Sequence, residues 1–152
     1  MKKTALITGV SGQDGAYLAK FLIEKNYKVI GTDRRSARGN NWRLKRLGIE
    51  DKVIFEEMEI GEIYEIDRIF NKYNFSEVYN LAAQSFVGTS FNSPLNTANI
   101  TGLGVLRVLE AIRILGLTKK TKLFQASSSE LFGDAKEVPQ TESTPFYPKS
   151  PY

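Results

Sequence analysis

The chain has 152 residues, 41% hydrophobic and 25% charged, with a net charge of +4, which suits one soluble globular domain with a real core. It contains no cysteine and no histidine. That excludes disulfides, thiolate chemistry and imidazole catalysis, leaves carboxylates, Tyr, Lys or the substrate for proton transfer at neutral pH, and fits a cytoplasmic protein.

The opening "MKKTALITGV" is charged at its start but runs into a Gly-rich turn, without a signal-peptide cleavage pattern, so residues 4–9 read as a first buried strand. No later window reaches the roughly 18 uninterrupted apolar residues of a membrane span. Residues 13–26 have helical spacing at Tyr17, Leu18, Phe21 and Leu22. Residues 27–33 read as a second strand, 41–48 as a short helix closed by Gly48, and 52–59 as a third strand. Residues 63–73 are amphipathic, with Ile63, Ile66, Ile69 and Phe70 on one face, and 77–83 form a fourth strand. A long helix is predicted over 93–116, with Ser93 as N-cap and Pro94 at the first helical position. Its Gly102 and Gly104 permit close packing on a sheet. Residues 121–133 read as a fifth strand running into a polar turn, and the proline-rich 138–152 as loop.

This alternation predicts an α/β fold: a Rossmann-type, doubly wound parallel sheet with helices on both faces. Right-handed crossovers give strand order 3-2-1-4-5 and put a ligand at the C-terminal ends of strands 1 and 4.

Gly9, Gly12 and Gly15 occupy the junction of the first strand and first helix. Gly9 permits the tight turn, Gly12 removes a side chain that would block a pyrophosphate, and Gly15 lets the helix pack on the strand. Freed backbone N–H groups and the helix dipole then favour an anion, so the stretch reads as a dinucleotide-binding turn rather than a plain structural one. The end of the second strand, "TDRRS", offers both cofactor types a partner. Asp33 suits the ribose hydroxyls of NAD, or is a loop residue neutralised by its neighbours. Arg34, Arg35 and Ser36 suit the 2′-phosphate of NADP, the favoured reading. Six basic residues, Arg34, Arg35, Arg38, Arg43, Lys45 and Arg46, crowd this region. They form a solvated face or a phosphate-facing one; nucleic-acid binding ranks third, because only Trp42 interleaves them. No metal site and no membrane partner are expected.

The glycine spacing, "YNLAAQS", "SSSE" and the final "SPY" resemble the extended short-chain dehydrogenase/reductase family. Within it, "ALITGVSGQDGAYLA", "RRS", "EVYNLAAQSFV" and "LFQASSSELFG…PFYPKSPY" resemble the GDP-mannose 4,6-dehydratases, over essentially the whole chain. The resemblance implies NADP as cofactor, GDP-mannose as substrate and GDP-4-keto-6-deoxymannose as product. It implies Tyr152 as the base at the sugar's 4-hydroxyl, Ser128 as its hydrogen-bonding partner where the family has threonine, and Glu130 as the carboxylate that takes the C5 proton. Ser127 and Ser129 read as turn residues. In the cofactor site it implies Gly9, Val10, Gly12, Gln13, Asp14 and Gly15 for the pyrophosphate and Arg34, Arg35 and Ser36 for the 2′-phosphate. Glu59 and Ile60 would lie near the adenine, where the family has Asp-Leu, and Leu81, Ala82, Ala83 and Ser85 near the nicotinamide. Ser85, with Ser128 and Glu130, would also face the sugar. The basic loop from Arg35 to Arg46 would contact a second subunit, giving a dimer or tetramer. Asn96 stands where the family has Tyr.

The family's Tyr-x-x-x-Lys motif would begin at Tyr152, and its lysine, sixth strand and sugar-nucleotide domain lie beyond the sequence. Residues 1–152 are therefore expected to be an incomplete NADP-binding domain, truncated before the substrate domain and inactive alone. Two alternatives remain: a nucleotide-sugar epimerase or keto-reductase of the same superfamily, and a non-catalytic NADP-binding module.

Overall fold

The computed structural model describes residues 2–37 and 39–152; Arg38 of the basic cluster lies outside the described residues. Apolar runs become β1 (Thr4–Thr8), β2 (Lys28–Asp33), β3 (Val53–Glu57), β4 (Glu77–Asn80) and β5 (Lys122–Gln125). All pairings are parallel, in the order β3-β2-β1-β4-β5. Between them run α1 (Gln13–Glu24), α2 (Trp42–Arg46), α3 (Ile63–Lys72), α4 (Val87–Asn92), α5 (Pro94–Thr97) and α6 (Leu103–Ile114).

Successive side chains of a strand point to opposite faces, and β1 shows the result. Ala5 and Ile7 join one apolar cluster with Ala16, Ala19, Leu22 and Leu44, on the α1–α2 side. Leu6 joins the other, with Ile66, Ile69, Phe70 and Val108, on the α3–α6 side. Each fully buried Leu or Ile contributes about 1.5–3 kcal/mol against exposure. Helices therefore cover both faces, as the alternation predicts.

The details depart from the sequence reading in places. The buried stripe of α1 is Gly15, Ala16, Ala19 and Leu22, whereas Tyr17 and Phe21 are 61% and 53% exposed. The tight glycine turn brings the start of this helix so close to the strands that only small side chains fit there, and Leu22 is accommodated further along. The helix stops at Glu24 because Asn26 turns left-handed, at φ 63°. β4 ends at Asn80 rather than residue 83, since the amides of Leu81 and Ala82 turn to the Thr8 hydroxyl instead of a strand partner. The predicted helix over 93–116 is three pieces: α5, a π-helical turn (Ala98–Gly102) and α6. Ser93 holds the N-cap position without a side-chain cap, and its carbonyl accepts a bond from the Thr97 hydroxyl. Gly104 packs closely, its missing Cβ leaving only 3.2 Å to the Ile60 side chain, but Gly102 meets nothing within 4 Å. α4 has no counterpart in the sequence reading; VGTSFN carries no apolar period.

Candidate functional site

Between β1 and β4 the chain reverses its winding, and at the C-terminal ends of these strands lies a cleft of about 830 Å³. Gly9, at φ +70°, turns the chain below it; a Cβ there would meet the Leu81–Ala82 backbone at 3.3 Å. Gly15 is more constrained, since its Cβ would fall 2.4 Å from the Gly9 carbonyl oxygen. Both require glycine, one for conformation and one for proximity.

The amides of this turn are not all free. Those of Gly9 and Val10 donate to the Thr32 carbonyl, that of Gly12 to the Gly9 carbonyl, and that of Ser11 to Asp33 Oδ2 at 2.9 Å. The N–H groups open to an anion are those of Gln13, Asp14 and Gly15, the first turn of α1, which have no intrahelical partner. Gly12, Gln13, Asp14 and Gly15 all line the cleft. Val10 does not: its side chain is fully buried over Gly31, where a Cβ would sit 2.6 Å from Val10 Cγ1.

Asp33 is held by the Ser11 amide rather than neutralised by the arginines that follow it. Burial raises its pKa, and the Ser11 bonds partly oppose this. Arg34, Arg35 and Ser36 extend from the end of β2 into solvent; among the described residues neither arginine forms an ion pair. Glu59 and Ile60 do not reach the cleft wall. Ile60 is buried against Gly104, and the Glu59 amide donates to Glu65 at 2.6 Å.

On the β4 side Leu81, Ala82, Ala83 and Ser85 line the cleft. Beneath them runs a polar chain that joins three strands. The Thr8 hydroxyl accepts the Leu81 and Ala82 amides at 3.0 Å each and donates to Asn80 Oδ1 at 2.6 Å; Asn80 Nδ2 donates to Gln125 Oε1 at 2.7 Å. The loop after β4 is tied to the π-helical turn, since the Gln84 amide donates to Thr101 Oγ1 and the single Thr97 hydroxyl hydrogen is shared between Gln84 Oε1 and the Ser93 carbonyl. Thr97 and Thr101 also line the cleft, whereas Asn96 is exposed on α5.

On the β5 side Ser127 turns left-handed, at φ 57°, and Ser128 caps the short 3-10 turn Ser129–Leu131 by accepting the Glu130 amide at 3.0 Å. Ser128 and Tyr152 line the same cleft as the glycine turn. Glu130 is half-buried one step behind Ser128 and is not part of the cleft wall.

Sequence reasoning missed Thr8, Asn80, Gln125, Thr97 and Thr101, and it missed the contacts that Asn40 and Arg43 make with Ser11. The available signal was polar residues at the last position of β1, β4 and β5, where a buried strand end has no reason to be polar unless it meets a partner. Among the described residues no helix is long and apolar enough to cross a membrane, and no group of three or more His, Cys, Asp or Glu could hold a metal.

A family model described as GDP-mannose 4,6 dehydratase matches residues 6–152. The GDP-mannose 4,6-dehydratase of Vibrio cholerae serotype O1 is 53% identical over 157 residues, covering 99% of this chain and 42% of that protein. Among solved structures, a UDP-glucose 4-epimerase from Thermotoga maritima with UDP-glucose matches with a TM-score of 0.84 at 30% identity, over 98% of this chain and 46% of the other. A UDP-glucose 4-epimerase from Bifidobacterium longum in complex with NAD+ and UDP matches with a TM-score of 0.83 at 25% identity, over 99% and 44%. The chain thus spans less than half the length of these relatives. By the match over residues 6–152, it belongs to the GDP-mannose 4,6-dehydratase family.

Proposed function

We propose that this chain is the NADP-binding part of an enzyme that dehydrates GDP-mannose to GDP-4-keto-6-deoxymannose. The observation that carries the reading is one cleft lined by the glycine turn, by Ser128 and by Tyr152. The residues present fit a dinucleotide: Gly12 leaves room where a side chain would stand, three unpaired amides open α1, and Arg34, Arg35 and Ser36 are exposed beyond β2. The first turn of α1 would hold the pyrophosphate of NADP, whose nicotinamide would supply reversible hydride chemistry between C4 and C6 of the sugar.

The chain's own groups handle protons. Tyr152 accepts the proton of the sugar's 4-hydroxyl. Ser128 Oγ already accepts the Glu130 amide, so its own hydrogen is left to donate to that hydroxyl. Once C4 is a ketone the C5 proton is acidic, and the Glu130 carboxylate takes it, then protonates the departing C6 hydroxyl so that it leaves as water. Gly9, Val10, Gly12, Gln13, Asp14 and Gly15 form or support the pyrophosphate turn, with Val10 acting through its packing on Gly31. Leu81, Ala82, Ala83 and Ser85 line the nicotinamide side. Glu59 and Ile60, which follow β3 and do not line the cleft, would lie near the adenine. The basic 35–46 segment is the proposed contact with a second subunit.

The likeness to 4-epimerases favours a second reading, nucleotide-sugar epimerisation on the same scaffold. Mass spectrometry decides between them. The chain, alone and joined to the C-terminal half of a family member, is incubated with GDP-mannose and catalytic NADP+. Loss of one water in the joined form and none in the chain alone is the expected result. Glu130→Gln should slow water loss by about 10²–10⁴-fold while sparing the NADPH absorbance that reports oxidation at C4. An epimerase would keep turning over.

A further inference from the structure

Ser11 is 2% exposed, and its amide, carbonyl and hydroxyl are held by the last residue of β2 and by the segment that follows it. Its amide donates to Asp33 Oδ2 at 2.9 Å, its carbonyl accepts Arg43 Nη1 at 3.1 Å, and its hydroxyl accepts Asn40 Nδ2 at 3.1 Å. Asp33 ends β2, while Asn40 and Arg43 lie where α2 begins. The intervening stretch, which carries Arg34, Arg35 and Ser36, is therefore fastened at both ends to one residue. That residue immediately precedes Gly12 and the open amides of α1. The Arg43 guanidinium is further set by the Trp42 ring, whose centroid lies 4.3 Å away.

We propose that Arg43 and Asn40 are positioning residues for dinucleotide binding. They hold Ser11, and through it the first turn of α1, where it meets the pyrophosphate. The inference rests on the dinucleotide reading above and assigns these two residues no contact with the 2′-phosphate. The carbonyl–guanidinium bond orients the Ser11–Gly12 peptide. Without it the turn must be ordered at the moment of binding, which weakens any dinucleotide regardless of its ribose substituent.

The test is calorimetric titration of NADP+ and of NAD+ into the chain and its variants, reading affinity and stoichiometry separately. Arg43→Ala should weaken both nucleotides by a similar factor, about tenfold, at unchanged stoichiometry. Arg43→Lys, which keeps a cationic donor, should recover part of the loss for both. Arg35→Ala should weaken NADP+ alone. A fall in stoichiometry would report misfolded protein, and Asn40→Ala then decides, with a smaller loss for both nucleotides expected. The proposal is overturned if Arg43→Ala, or Asn40→Ala in its place, weakens NADP+ alone or changes neither affinity. If the unaltered chain binds neither nucleotide, the dinucleotide reading itself fails and the positioning role falls with it.

Discussion

Two buried threonines illustrate how one hydroxyl can hold a site together while another contributes nothing. Thr8 Oγ1 accepts two amides and donates to Asn80, whereas Thr32 Oγ1 has no hydrogen-bond partner among the described residues. Replacing either by valine keeps the shape and removes the hydroxyl. Thr8→Val leaves the Leu81 and Ala82 amides without an acceptor and should destabilise the chain by about 2–4 kcal/mol. Thr32→Val removes an unsatisfied group and should be neutral or stabilise by up to about 1 kcal/mol. Urea unfolding measures both, and equal losses would contradict the hydrogen-bond pattern. Gly9 and Gly15 were legible at this scale because a left-handed turn and a close approach of helix to strand admit no side chain. Asn40 and Arg43 were not, because their partner Ser11 is distant in sequence and nothing local distinguishes a tethering arginine from a solvated one.

Among the elements, β3 and α3 are locked by one carboxylate. Glu56 on β3 accepts Lys72 Nζ at 2.5 Å, Tyr73 OH at 2.6 Å and Arg68 Nη1 at 3.2 Å. Those partners, Lys72 first, depress its pKa from 4.5 to about 2. A depressed carboxylate stabilises the fold above its unfolded pKa and loses that contribution as pH falls toward the folded one. Stability should therefore decline between about pH 4.5 and about pH 2, and Glu56→Gln should flatten that part of the profile in thermal melts. An unchanged acid limb in the variant would remove Glu56 as its cause. Element order and sheet topology were legible because periodicity and crossover handedness are local or generic constraints. The π-helical turn and α4 were not. The π-helical turn is tied to the loop after β4 through Gln84 with Thr97 and Thr101, and α4 carries no apolar period, so neither leaves a period in the sequence.

Across the whole molecule the sheet has two edges, β3 and β5, and both carry exposed apolar side chains. On β5, Phe124 is 55% exposed, with the Tyr79 ring beside it at 6.1 Å between ring centroids. Open strand edges with apolar side chains template association. The chain should self-associate at high concentration, and Phe124→Lys should lower the light scattering; no concentration dependence would refute this. The two apolar clusters also differ in grain. On the α1 side the helix presses Gly15, Ala16 and Ala19 onto strand residues such as Ile7, Val10 and Val29, whereas the α3–α6 side is filled by larger Ile, Phe, Met and Leu side chains. A saturation mutagenesis survey would see this as two opposite intolerances. Enlargement should be lethal along Gly15, Ala16 and Ala19, and truncation at Ile66, Ile69 and Phe70. The helix whose first-turn amides open into the cleft is seated through its smallest side chains, so the sheet faces divide the labour of precision and of cohesion between them.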